Sequence, residues 1–278
     1  MPRSGRSAAS RCRTLFAAAM TLALTGCSGA DFVLPELTDA EISKASLTVN
    51  SAAADLPKYL RTDAEYREML SRIARRLQAS APALCQHAKV KDCTIDVAYS
   101  DKSEVNAYAS GKNSVVMQRG LLELLQSEEE VAAVVAHEYG HHLGQHIEEK
   151  QRNAAIGAIL AGVLVGAAAA AAGADANDPG MADAVGTSMG VGAAIGALSY
   201  SKAEEREADL LSAYLLARSG YDLRKAGHVW QVLAQLDKQK TKASLFDSHP
   251  AGPERMAAWE KAIFEVEHSP TKLPPWKT

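Results

Sequence analysis

Apolar residues recur at helical spacing at Tyr66, Met69, Leu70, Ile73 and Leu77, directly behind Thr62-Asp63-Ala64-Glu65, which has the form of a capping box. The spacing predicts an amphipathic helix over 63–79. The pattern then changes to short β-rich runs at 94–99, 105–110 and 114–117, with Gly111-Lys112-Asn113 as a turn between the last two, so a small sheet is expected. A short helix over 121–125 follows. Ser127-Glu128-Glu129-Glu130 repeats the capping-box form and opens a long helix through Val131, Val134, Val135 and onward. In the last third, 201–218 reads as a helix that is charged first and apolar later, stopped by Gly220. Asp222 caps a helix to about Lys238, Pro253 opens a last helix over 253–266, and 270–278 reads as irregular.

Two stretches depart from this globular pattern. Residues 154–198 hold 17 Ala and 9 Gly in 45 positions with no Lys or Arg, and 153–174 is an uncharged run of 22 residues. Asp175 to Asp183, with Pro179-Gly180, separates it from a second apolar run. Length alone permits a transmembrane hairpin. Ala and Gly are only weakly hydrophobic, however, and this favours a helical hairpin within the protein or resting on a membrane surface.

The second stretch is the amino terminus. Arg3, Arg6, Arg11 and Arg13 precede an uncharged apolar run over 15–24, a basic region followed by a core too short for a stable span. The run ends Leu24-Thr25-Gly26-Cys27, which resembles a bacterial lipobox; the competing reading is a plain secretory signal with an incidental cysteine. On the lipobox reading, 1–26 is a signal peptide, Cys27 carries lipid and anchors the chain to a membrane, and 27–61 is a tether with a lead-in helix. Ser28 in place of Asp implies an outer-membrane destination facing the periplasm. In that oxidising compartment Cys85 and Cys93 are expected to form a disulfide, contributing about 2.5 kcal/mol through loop entropy.

Charge narrows the partners. The chain has 30 Lys+Arg against 33 Asp+Glu, and loss of 1–26 removes four arginines and no acids. There is no basic field, so nucleic acid is not an expected partner.

The chemistry is concentrated in His137-Glu138-Tyr139-Gly140-His141, the HExxH pattern. Positions four apart share a helical face, so His137 and His141 can present two imidazoles to one Zn²⁺. Glu138 can take a proton from a water that the metal acidifies. A third protein ligand is needed. The metzincin pattern would place it at 147, but that residue is Ile147. His146 is one short, and on a continuing helix it falls on the opposite face from His137. Gly144 at the metzincin glycine position is then coincidental. His142 also points away, as a solvated or supporting residue. In Ser201-Lys202-Ala203-Glu204-Glu205-Arg206-Glu207-Ala208-Asp209, Glu205 and Asp209 share one face. Glu205 can ligate zinc and Asp209 can orient a ligating imidazole. Spacing alone does not choose Glu205 over Glu204 or Glu207, and a solvated acidic face is the ordinary reading of such a run.

HEYGH followed by SKAEEREAD resembles the HtpX/CaaX-protease-like gluzincin zinc metalloproteases. With the lipobox, it resembles most the LoiP- and BepA-related periplasmic lipoprotein group. The resemblance implies Glu205 as third zinc ligand, with Asp209 as the acidic partner. It implies Asn106, Ala107, Tyr108 and Ala109 as an edge strand that binds extended substrate, and the 246–250 segment with Arg255 as a His-Pro loop carrying His249. Lys202 replaces the family's usual Arg. His249 is open between substrate or oxyanion contact, occupation of the open zinc position, and a loop histidine without a role. The implied fold is α+β and mainly helical, a zincin-like domain over 62–268 with a small sheet beside the HExxH helix, the 154–198 insertion and a tail over 269–278. The implied activity is endopeptidase cleavage of unfolded or extended envelope proteins. The alternative is an outer-membrane assembly factor or chaperone, engaged with the assembly machinery, in which zinc is mainly structural.

Overall fold

The computed structural model describes residues 30–51, 56–110, 113–173, 179–196, 200–238, 249 and 252–277. The signal segment 1–26, Cys27, the Gly111-Lys112 turn, and Phe246 to Ser248 with Pro250 lie outside the described residues.

The lead-in helix is α1 (Asp39–Ser51) and the first long helix is α2 (Asp63–His87). The Thr62 capping box forms as its sequence requires: Glu65 N–H donates to Thr62 Oγ1, and Glu65 Oε2 accepts from the Thr62 amide at 2.7 Å. The helix runs two turns past 79, through Pro82, because Ala81, Leu84 and Cys85 continue the buried stripe begun by Tyr66, Ile73 and Leu77. Complete burial of side chains of this size stabilises by about 1.5–3 kcal/mol each. A disulfide joins Cys85 at the end of this stripe to Cys93, with the Cα atoms 5.9 Å apart.

The sheet has three strands, β1 (Asp96–Ser100), β2 (Ala107–Ser110) and β3 (Ser114–Gln118), in the order β1-β3-β2. β1 runs parallel to β3 and β2 antiparallel to it, with Ala107 opposite Met117 and Ala109 opposite Val115. β2 is therefore an edge, and it lies against the HExxH helix. A single turn, α3 (Arg119–Leu122), leads into that helix, α4 (Glu128–Leu143). Its Ser127 cap receives the Glu130 amide, but Glu130 Oε2 accepts from the Gln126 amide at 2.6 Å, one residue before the position a full box would use.

α4 ends at Leu143. Gln145 takes a left-handed conformation (φ 57°), and a new helix, α5 (His146–Ala171), starts in another direction. α5 packs against α6 (Pro179–Gly196) to form the expected hairpin. The hairpin is not enclosed by the protein. Ile156, Ile159, Val163 and Leu164 are exposed, and α5 is, among the described residues, the one helix long and apolar enough to cross a membrane by length and composition.

The chain returns in α7 (Lys202–Arg218), which lies along α4. The predicted helix after Asp222 is two pieces, α8 (Leu223–Ala226) and α9 (His228–Lys238). They part at Gly227, where the Trp259 ring occupies the space a side chain would need. The last helix, α10 (Pro253–His268), packs on α7 and α1. The 270–278 segment is partly anchored: Trp276 forms an antiparallel bridge with Phe32, their rings 4.4 Å apart.

α4 and α7 touch backbone to backbone. A Cβ on Gly140 would stand 2.5 Å from the carbonyl oxygen of Ala208. Gly140→Ala is expected to force the two helices apart at a cost of about 1–3 kcal/mol, read as a lower thermal midpoint; an unchanged midpoint would contradict this contact.

Candidate metal centre

The Gly140–Ala208 contact brings the inward faces of α4 and α7 together. His137 and His141 are one turn apart on α4, and Glu205 and Asp209 one turn apart on α7. All four side chains are buried. His137 Nε2 and His141 Nε2 are 3.2 Å apart. Glu205 Oε2 lies 3.5 Å from the first and Glu205 Oε1 3.4 Å from the second. Two atoms each bonded to one tetrahedral zinc at 2.0–2.1 Å stand about 3.4 Å apart. The two imidazole nitrogens are thus spaced as a zinc site requires, a carboxylate oxygen lies at about that spacing from each, and the chemistry is that of a zinc donor set.

A fourth donor closes the group. His249 is buried, with Nδ1 2.8 Å from Glu205 Oε1 and 3.4 Å from His137 Nε2. His137, His141, Glu205 and His249 together form a cluster able to hold a metal ion. Of the three places open to His249, the structure puts it among the donors.

Glu138 sits beside the cluster. Its Oε2 accepts the amide N–H of Ala109 at 2.8 Å. Its Oε1 is buried, 3.6 Å from His249 Nε2, and has no hydrogen-bond partner among the described residues. The Ala109 amide points away from β3, so the free edge of β2 directs one backbone donor at Glu138. Of the edge segment, Ala107 is buried, Asn106 and Ala109 are half-buried and Tyr108 is exposed. Asn106 Oδ1 is buried with no partner among the described residues.

The acidic run on α7 divides into separate tasks. Glu204 completes the capping box with Ser201. Glu205 joins the metal-facing atoms. Glu207 turns to the other side and accepts from His146 and from the Phe32 amide. Asp209 Oδ1 lies 2.9 Å from His137 Nδ1, the orienting contact expected of it.

Arg255, from the first turn of α10, was not resolved by spacing into any contact. It is buried, its Nε and Nη2 bind both oxygens of Asp209 at 2.9 and 2.7 Å, and its Nη1 lies 2.8 Å from Glu205 Oε2. Burial raises the carboxyls of Glu205 and Asp209, but the Arg255 guanidinium and the neighbouring histidines together outweigh it, and both are held below their usual range, Glu205 far below. Burial likewise drives His141 well below the ordinary histidine range, leaving a neutral imidazole whose lone pair is available to a metal. Burial and Arg255 push His137 down too, but Asp209 and Glu205 prevail and raise it to about 9. Tyr200 stacks on the His141 ring with centroids 3.7 Å apart.

His142 points away from the cluster as its spacing predicts but is not solvated, and His146 stands elsewhere than its spacing predicts. His142 is buried, its Nε2 2.9 Å from the Asp92 carbonyl oxygen, so it ties α4 to the loop before the sheet. His146 is not on the far face of a continuing helix. The break at Gly144-Gln145 folds it back until its Nδ1 is 2.9 Å from His141 Nδ1. A Cβ on Gly144 would fall on the His146 ring, so this glycine makes room for the fold-back.

The family model of peptidase family M48 matches residues 71–263, more than half the chain. The chain belongs to peptidase family M48. No curated protein gives a match. Membership of M48 identifies a zincin-like metalloprotease domain and zinc as the metal such proteins use, in agreement with the donor set described above.

Arg255→Met leaves two buried carboxylates of the M48 centre without their counter-charge. Removal of one partner from such a buried group costs about 3–5 kcal/mol. The thermal midpoint of the metal-free protein is expected to fall accordingly, and zinc, which supplies positive charge beside Glu205, should recover part of the loss. A midpoint within a degree or so of wild type without zinc would exclude this role.

Proposed function

We propose that the chain is a zinc metalloendopeptidase of the LoiP-like lipoprotein group, held at the cell envelope by lipid on Cys27 and facing the periplasm. Its substrates are misfolded or extended envelope proteins. The observation that carries the enzymatic reading is the buried Oε1 of Glu138, without a hydrogen-bond partner among the described residues, beside two imidazoles and a carboxylate gathered at one point.

His137, His141 and Glu205 would hold the metal, and a zinc ion there supplies Lewis acidity toward the scissile carbonyl and the attacking water. Glu138 does the proton work. The Ala109 amide fixes Oε2 and leaves Oε1 to take a proton from the water and return it to the departing amine. The edge of β2 beside it suits an extended chain, since backbone pairing reads shape rather than side chains. This agrees with unfolded substrates. Membrane attachment and envelope location rest on the Leu24-Thr25-Gly26-Cys27 segment and on the Cys85–Cys93 disulfide, which suits an oxidising compartment.

Glu138→Gln is expected to keep zinc and the thermal midpoint while cleavage of unfolded casein falls by about 10²–10⁴-fold. Undiminished cleavage would refute the proton-transfer role.

One observation favours the second reading, an assembly factor or chaperone with structural zinc. With His249 among the donors, four protein groups surround the site, as in structural zinc centres. On the enzymatic reading His249 instead marks a closed resting state that substrate opens. His249→Ala separates the two. Retained zinc with faster cleavage of a short peptide is the expected result. Loss of zinc without any gain in rate, together with full rescue of an envelope defect by Glu138→Gln, would establish the structural reading.

A further inference from the structure

Behind the metal-facing atoms runs a buried chain of side chains that the peptidase reading does not use. His141 turns Nε2 toward the donor cluster, and its Nδ1 lies 2.9 Å from His146 Nδ1. His146 Nε2 lies 2.8 Å from Glu207 Oε2, and Glu207 Oε1 accepts the Phe32 amide N–H at 2.6 Å. His141, His146, Glu207 and Phe32 are each at most 1% exposed.

One placement of protons satisfies every link once the Nε2 lone pair of His141 is given to a metal. His141 then carries its hydrogen on Nδ1 and donates to the bare Nδ1 of His146. His146 carries its hydrogen on Nε2 and donates to Glu207. Glu207 accepts from His146 through one oxygen and from Phe32 through the other. No donor faces a donor, and no ring nitrogen is idle.

We propose that His146 and Glu207 are positioning residues of the metal centre. They fix the tautomer and ring plane of His141 and make its Nε2 a stronger donor, as Asp209 does directly for His137. The amino-terminal strap at residues 30–33 holds the far end through the Phe32 amide. That strap is pinned to the domain, since Phe32 bridges to Trp276 and the Val33 amide donates to the Pro275 carbonyl at 2.8 Å. Two local features permit this arrangement. Gln145 adopts the left-handed conformation that reverses the chain, and Gly144 lacks the side chain that would collide with the His146 ring. The inference rests on the zinc reading of the donor cluster given above.

The test is the zinc dissociation constant of the full-length protein, measured by chelator competition, with the visible spectrum of the cobalt-substituted protein as a second readout of ligand geometry. His146→Ala is expected to weaken zinc binding by about 10–100-fold, the usual effect of losing the partner of a ligating histidine. Gly144→Ala, which leaves His146 chemically intact but displaces its ring, should weaken binding in the same direction and alter the cobalt spectrum. His146→Gln, which again offers an acceptor to His141 and a donor to Glu207, should restore most of the affinity. Phe32→Pro, which removes the amide hydrogen, should bind zinc several-fold more weakly than Phe32→Leu, which keeps it.

Zinc affinity within about twofold of wild type in His146→Ala or Gly144→Ala overturns the proposal, since a merely structural histidine would lower the thermal midpoint and leave affinity unchanged. If His146→Ala does not fold, Gly144→Ala and His146→Gln decide the question. Equal affinities in the two Phe32 variants overturn the part assigned to the strap. Failure of the wild-type protein to bind zinc would instead sink the peptidase reading on which the inference stands.

Discussion

The contact of Gly140 with Ala208 governs the geometry of everything that follows in this protein. Side chains at a helix crossing hold the two axes apart and widen the gap that residues on the facing turns must span. Here the side chain is missing at the crossing, the backbones meet, and His137, His141, Glu205 and Asp209 converge from both sides. The same closeness buries two carboxylates with little water to solvate them. Arg255, delivered from a third helix, answers that cost with two bonds to Asp209 and an ion pair to Glu205. The packing of α10 on α7 is thereby part of the electrostatics of the centre as well as of the core.

The centre is graded by distance from the metal-facing atoms. The imidazoles of His137 and His141 each have one nitrogen turned toward the cluster and the other tied outward, His137 to Asp209 and His141 to His146. Glu138 is likewise divided, one oxygen tied to the edge strand and the other without a hydrogen-bond partner among the described residues. This division keeps flexible side chains in one orientation without filling the positions where chemistry takes place. The sheet contributes little bulk, but its edge amide sets the direction in which the Glu138 carboxylate points.

Much of this was legible in the sequence, and the reasons differ by residue. The period of α2, its cap, the three strands and the HExxH helix follow from local patterns with a single physical cause each. Glu205 and, one turn on, Asp209 share a face by spacing, but choosing them needed the family resemblance, because Glu204 and Glu207 offer the same chemistry at neighbouring positions. The structure shows how they separate: Glu204 caps its own helix and Glu207 faces away from the cluster. His146 was misplaced because helical periodicity holds only while the helix continues, and a left-handed Gln145 carries no signal in the pattern. Arg255 and His249 reach the centre across the fold, from 46 and 44 residues beyond their carboxylate partners, where no local rule applies.

The α5–α6 hairpin occupies the connection between the two ligand-bearing helices, leaving α4 through Gln145 and re-entering α7 past Tyr200. Closing a loop becomes only slowly more costly as the loop lengthens. The length and surface of the hairpin are therefore nearly decoupled from the fold, provided its roots are kept. Those roots are chemically occupied, with His146 bonded to His141 on one side and Tyr200 stacked upon it on the other. The connection thus behaves as a cassette with fixed splice points: material beyond them is nearly decoupled from the fold, while a cut that removed His146 or Tyr200 would strip a contact from the His141 ring.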